Sequence, residues 1–197
     1  MAARAGLTAD RVVETAADLA DEAGFGNVTV SALARRLGVK DASLYSHVRS
    51  LSDLRTRIAV LATAELADRI TTAVAGRAGK DALTAFAQAY RAFALDRPGR
   101  YAAAQIQFDP AVVAASPAHR RTIETTYAML RAYGLSEPDL TDAVRLLRST
   151  FHGFSSLEAT GGFGAPRDVQ ASWERTVEAL HVLLEHWPRA ETPPTRP

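Results

Sequence analysis

The sequence predicts an all-α fold of about nine helices, and three observations carry that expectation. Apolar residues recur at three- and four-residue steps along most of the chain. β-Branched residues rarely alternate with polar ones, and no Asn-Gly or Asp-Gly hairpin signal occurs. Glycine and proline fall at intervals that end and start helices.

Taken in order, Thr8 can cap a first helix reaching Ala23, with Val12, Val13, Ala16, Ala20 and Ala23 as its apolar stripe and Gly24 as its stop. Thr29 can cap a short second helix that ends at Leu37 before Gly38. The third is expected from Asp41 to Val48. Ser50 or Ser52 can cap a long fourth helix reaching Ala75. A fifth spans Asp81 to Asp96, and Pro98 suits the first turn of a sixth. Ser116-Pro117 opens a seventh that ends at Gly134. Ser136-Glu137-Pro138 opens an eighth, with Leu140, Val144, Leu147, Phe151, Phe154 and Leu157 at helical steps. Gly161, Gly162, Gly164 and Pro166 form a loop before a ninth helix from Asp168 to Trp187. The expected domains are a head at residues 8–56, a body at 57–188 and a disordered, proline-rich tail at 189–197.

Composition narrows the function classes. The chain has 197 residues, 47% hydrophobic and 23% charged, enough apolar material for a sizeable core. It has no cysteine, which excludes a disulfide scaffold, an iron–sulfur protein and a thiol nucleophile. No apolar run is long enough for a membrane helix. Met1 to Arg11 lacks the apolar core of a secretory signal, so a cytoplasmic location is expected. The net charge of +1 hides an asymmetry. Between residues 29 and 57, Arg35, Arg36, Lys40, Arg49, Arg55 and Arg57 face only Asp41 and Asp53, while the rest of the chain beyond is neutral. A small basic segment on a neutral body is the footprint of a nucleic-acid-reading module, although a solvated basic surface gives the same count.

That segment has a pattern of its own. Val30, Leu33, Ala34 and Leu37 make one buried stripe, Gly38 permits a tight left-handed turn, Val39 fills the space beneath it, and Leu44 and Val48 bury the next helix. Two short helices around a glycine turn form a helix-turn-helix, whose second helix can enter a major groove. The exposed arc then presents Lys40, Asp41, Ala42, Ser43, Tyr45, Ser46, His47 and Arg49, with Thr29 and Ser31 at the start of the helix before it. Hydroxyls can bond phosphate or base edges, Ala42 can meet a thymine methyl, and Asp41 can accept from a cytosine amino group. His47 and Arg49 suit phosphates. A plain helical corner facing water is the competing reading.

Thr29 through Leu54, with Leu44-Tyr45-Ser46-His47-Val48 followed by Arg49-Ser50-Leu51-Ser52-Asp53-Leu54, resembles the DNA-binding domain of TetR-type repressors. The resemblance implies a three-helix head followed by a helical body that dimerises and holds an inducer pocket. Leu51 departs from it, because the family usually has a phosphate-contacting lysine there; Arg49 or Arg55 would have to replace it. Phe151-His152-Gly153-Phe154, with Leu157-Glu158 and Gly161-Gly162-Phe163-Gly164, resembles the WHG-type C-terminal domain of one TetR subgroup, with Phe151 where the motif has Trp.

In the body, Trp173, Val177, Leu180, Leu184 and Trp187 recur at helical steps, and with Phe154 and Leu157 they are the expected dimerisation face; packing of this stripe within one subunit is the competing reading. Phe86, Tyr90, Phe93, Tyr101, Gln105, Phe108, Tyr127, Phe151 and His152 are the expected ligand-binding residues, since aromatics with a few polar groups line small-molecule pockets. The same residues at helical spacing are more often plain core. His181 and Glu185 stand one turn apart without a third metal ligand, and no G-x-S-x-G, phosphate loop or G-x-G-x-x-G occurs. Neither an enzyme nor a metal or other cofactor is therefore expected. The leading function is a ligand-responsive DNA-binding transcriptional regulator, a repressor that is released from a palindromic double-stranded operator by a small molecule. The alternative is a helical ligand-carrier or protein-interaction module whose head no longer binds DNA, for which Leu51 and Asp41 speak.

Overall fold

The computed structural model of the chain describes residues 7–107 and 116–188. The expected tail and Phe108 lie outside the described residues. Among the described residues there are nine α-helices and no strand: α1 (Ala9–Ala23), α2 (Val30–Leu37), α3 (Asp41–Leu44), α4 (Leu51–Val74), α5 (Gly79–Asp96), α6 (Pro98–Ala104), α7 (Pro117–Arg131), α8 (Asp139–Ala159) and α9 (Val169–Glu185).

Local chemistry sets the ends. The side chains of Thr8, Thr29, Ser50, Ser116 and Asp168 each accept a hydrogen bond from a backbone N–H in the first turn that follows. Of the two serines that could cap α4, Ser50 does so, accepting from Asp53 N at 3.1 Å. Gly38 closes α2 at φ 68°, where its N–H reaches the carbonyls of Ala34 and Arg35.

α3 is shorter than the sequence suggests. An α-helix continuing to Val48 would have His47 N–H bonded to the Ser43 carbonyl. Instead Ser46 Oγ donates to that carbonyl at 2.7 Å, and His47 N–H turns to the Leu44 carbonyl at 2.9 Å. The serine hydroxyl competes with the backbone and tightens the chain into a turn. Leu44 and Val48 are still buried, so the segment keeps its orientation.

α4 runs unbroken for 24 residues, about 36 Å at 1.5 Å per residue, and packs against α1, α5, α6 and α7. The expected boundary at residues 56 and 57 therefore falls inside one continuous helix. Leu51 is half-buried against the core. α5, α7, α8 and α9 build the body around Phe86, Phe93, Leu130, Leu147, Phe151 and Trp173.

The start of α6 is seated on the end of α1. A Cβ at Gly99 would lie 2.0 Å from the backbone carbon and oxygen of Ala20, so only glycine permits this approach. Beside it, Arg100 is buried among carboxylates from two helices. Its backbone N–H donates to Asp21 Oδ1 at 2.8 Å and its guanidinium to Asp21 Oδ2, with Asp18 at 3.0 Å and Glu14 at 3.3 Å. From α4, Glu65 Oε2 approaches Nε at 3.2 Å. Burial opposes the Arg100 charge, but the hydrogen bonds to Asp21 and Asp18 and the Glu65 charge outweigh it and raise its pKa. Glu65 shifts upward because its own burial outweighs the Arg100 charge.

Replacing Gly99 by Ala forces α6 off α1. The expected cost is about 3 kcal/mol, at the upper end for overpacking, read as a lower urea midpoint with an unchanged m-value. An unaltered midpoint would show that the approach is not tight in solution.

Candidate nucleic-acid interface and internal cavity

The segment from α2 to the start of α4 presents the predicted arc outward. Thr29, Ser31, Lys40, Asp41, Ala42, Ser43, Tyr45, Ser46 and Arg49 are exposed and His47 is half-buried. Tyr45, a large aromatic residue, is 55% exposed, which core packing does not explain. Some polar groups are already committed. Thr29 Oγ1 caps α2, accepting from Ala32 N at 3.2 Å. Ser31 Oγ donates to Asp41 Oδ2 at 2.6 Å and ties the two helices of the motif together. One Asp41 oxygen is thereby occupied, so this carboxylate has a holding role within the motif besides any contact it makes to a base.

The six cations of residues 29–57 divide into two groups. Arg36 pairs with Glu22 of α1, Arg57 with Asp53 at 3.0 Å, and Arg55 Nη2 donates to the Gly26 carbonyl at 3.1 Å. The Arg36 bond lowers the Glu22 pKa and raises that of Arg36. Asp53 is held below the usual carboxylate range, first by the backbone N–H of Arg49 and then by Arg57. The side chains of Arg35, Lys40 and Arg49 are exposed and form no close ion pair among the described residues, although the Arg49 charge still acts on Asp53. Arg55, one expected substitute for a lysine at position 51, bonds within its own fold, whereas the Arg49 guanidinium is exposed and forms no close ion pair among the described residues.

Within the body a cavity of about 350 Å³ opens between α4, α5, α6, α7 and α8. Of the predicted ligand residues, Phe86, Tyr90, Gln105, Tyr127 and Phe151 line it. Tyr101 and His152 do not. They stand behind Tyr90 in a hydrogen-bonded series, Tyr90 Oη to Tyr101 Oη at 3.0 Å and Tyr101 Oη to His152 Nδ1 at 2.7 Å. Burial pushes the phenol pKa of both tyrosines up, so both stay protonated. Phe93 also leaves the lining: it is fully buried in core, with the Arg69 guanidinium 5.2 Å from its ring centre. Thr63, His119, Thr122, Thr126 and Arg148 line the cavity although the sequence pattern does not single them out. A threonine or arginine at helical spacing looks like any surface residue until the neighbouring helix is placed.

The predicted dimerisation stripe is corrected. Trp173, Val177, Leu180 and Leu184 are buried inside the subunit, at 6% exposure or less, so this row of α9 packs against its own chain. Trp173 meets Phe151 and Phe154, with ring centres 5.5 and 4.9 Å apart, and the Arg91 guanidinium lies 5.4 Å from its ring. Arg91 in turn bonds Glu158 and Gln170, bracing α5 to α8 and α9. Phe154 is half-buried. Leu157 at 48% exposure, Phe163 at 37%, Val182 at 48% and Leu183 at 39% are the large apolar residues that α8, α9 and their connecting loop leave on the surface.

An all-helical chain carrying an outward helix-turn-helix on a long helix, with a cavity in the body behind it, is the build of a helix-turn-helix transcriptional regulator. Comparison with known proteins agrees. Residues 12–56 match the family model of bacterial regulatory proteins, tetR family, and residues 83–180 match that of the tetracyclin repressor-like C-terminal domain. The uncharacterized HTH-type transcriptional regulator YobS of Bacillus subtilis is 33% identical over 172 residues, covering 87% of this chain and 90% of that one. The chain belongs to the TetR family of DNA-binding transcriptional regulators. Solved structures share its fold. A TetR variant from Acinetobacter baumannii, in complex with minocycline, superposes at a TM-score of 0.70 with 21% identity, covering 94% of this chain and 100% of that one. BioQ with its double-stranded DNA operator does so at 0.66 with 21% identity, covering 91% and 99%. Among the described residues no helix is long and apolar enough to cross a membrane.

Each uncommitted cation that meets a phosphate adds about −0.9 to the slope of log affinity against log salt. Replacing Arg35, Lys40 or Arg49 by Ala should flatten that slope by about one unit wherever the side chain neutralises a phosphate. Arg36→Ala removes a charge already paired with Glu22 and should leave the slope nearly unchanged. Equal effects of all four, measured by fluorescence anisotropy on one duplex, would refute the division.

Proposed function

We propose that the protein acts in the cytoplasm as a homodimeric repressor and leaves its operator when a small molecule fills the cavity of the body. The observation that carries this reading is the position of the cavity. Thr63, Leu66 and Ile70 of α4 form one of its walls, and the same helix begins directly after the helix-turn-helix. Ala104 and Gln105, at the far end of α6, form another, and α6 is anchored to α1 through Gly99 and Arg100. A ligand that fits better with α4 and α6 slightly displaced therefore acts on the head as well. Coupling of this kind is typically 1–3 kcal/mol, or roughly 5- to 150-fold in affinity.

The residues proposed to touch DNA are Lys40, Ala42, Ser43, Tyr45, Ser46, His47 and Arg49, with Ser31 and Asp41 holding the motif together and Arg35 reaching the backbone. A twofold pair of heads would read half-sites roughly 34–36 Å apart or a multiple of that. Leu157, Val182 and Leu183, together with the half-buried Phe154, support a self-complementary helical interface on α8 and α9.

Two measurements test this. In anisotropy titrations the full chain should bind duplex from its own upstream region more tightly than a scrambled duplex, and Tyr45→Ala should weaken only the specific complex. Equal affinity for both duplexes contradicts the assignment. A compound that raises the melting temperature of the protein should also lower its DNA affinity; stabilisation without release contradicts the effector reading. For assembly, Leu183→Arg should give a monomer by light scattering, whereas Leu180→Ala should keep the dimer and cost about 2–5 kcal/mol of stability. A dimer that survives Leu183→Arg places the interface elsewhere.

A further inference from the structure

We infer that the occupant of the cavity is an organic monoanion with an apolar body, such as an aromatic or medium-chain carboxylate, whose charged end meets Arg148. This deepens the effector reading and rests on it. Among the described residues lining the cavity none is acidic, and Arg148 is the only lysine or arginine. Arg148 lines the cavity while remaining exposed on α8, and its charge acts on Tyr90 and His119 of the same lining. No carboxylate pairs with it among the described residues, in contrast to Arg145 one turn away, which reaches Asp142 at 3.3 Å. The positive charge is sensed inside: His119, also in the lining, has its pKa lowered by burial first and by Arg148 second. Its imidazole is therefore neutral at neutral pH and adds no second charge.

The rest of the wall fits the other end of such a molecule. Leu66, Ile70, Phe86, Val144, Leu147 and Phe151 supply an apolar surface. The lining threonines are not free to donate, because Thr63, Thr122 and Thr126 give their hydroxyl protons to the carbonyls of Ala59, Ala118 and Thr122 at 2.8, 3.1 and 2.7 Å. The guanidinium is left as the strongest donor, and it offers a fork matched to a carboxylate. A cation would meet an uncompensated like charge. A neutral ligand would gain the apolar wall without the charge-assisted bonds.

The test is calorimetric titration of the full chain with two matched series: 1-naphthoate, 1-naphthamide and 1-naphthylmethylammonium, then decanoate, decanamide and decylammonium, all below any micelle concentration. At least one carboxylate should bind about tenfold or more tighter than its amide, and the ammonium most weakly. Whichever series shows this separates an aromatic from an acyl source. Arg148→Gln should bring carboxylate and amide to within about threefold of each other by weakening the carboxylate alone. Arg145→Gln, which removes the same charge from the same helix outside the cavity, should leave the preference intact. Carboxylate and amide binding equally to the unaltered protein, or a preference surviving Arg148→Gln, overturns the anion inference and leaves the effector pocket standing. Binding of no probe of any charge overturns both.

Discussion

The contact on which the rest of the structure depends is the seat of α6 on α1. Arg100 is buried, and a buried guanidinium is tolerated only while carboxylates surround it. Those carboxylates come from α1, through Asp21, Asp18 and Glu14, and from α4, through Glu65. Gly99 makes the geometry possible by letting two backbones touch. Removing either side would strand charges in a poorly solvated place. α6 therefore cannot travel far without carrying α1 with it, and α1 is the helix against which α2 packs. The other end of α6, at Ala104 and Gln105, is cavity wall. The helix-turn-helix head and the cavity of the body are thus fastened at one ionic knot, with α4 as a second and longer strut.

Much of this is legible in the sequence, and physics explains which parts. Helix ends are local: Thr8, Thr29, Ser50 and Asp168 cap within one turn of themselves, and Gly38 must take a left-handed angle wherever the rest of the chain goes. The helix-turn-helix is nearly local too, since its stripe from Val30 to Leu37 and the pair Leu44 and Val48 point into one small core. The shortening of α3 is also local, but subtle. Ser46 takes the Ser43 carbonyl from His47, a competition that a periodicity count does not see.

The other departures are tertiary. Trp173, Val177, Leu180 and Leu184 form a clean apolar row, and a row of that kind says only that something covers it. Phe151, Phe154 and Arg91 of the same chain do so. Phe86 and Phe93 are both buried aromatics on α5, yet only Phe86 reaches the cavity. Arg100 carries no sequence signal at all, because its partners lie 79 to 86 residues away along α1, and Glu65 sits on α4. Charge counting suffers in the same way. The basic surplus of residues 29–57 is real, but half of its cations are engaged with Glu22, Asp53 and the Gly26 carbonyl.

The most direct test of the knot is a double-mutant cycle on Arg100→Met and Asp21→Asn, read by urea unfolding and, in parallel, by affinity for upstream DNA. If the two residues act as one unit, each single change should lower stability and the pair should cost less than the sum, with a coupling of about 1–3 kcal/mol. The same non-additivity should appear in DNA affinity, because the head is aimed from this joint. Strict additivity in both readouts, within about 0.5 kcal/mol, would mean that α6 and α1 are merely neighbours and that the account of how body and head communicate is wrong.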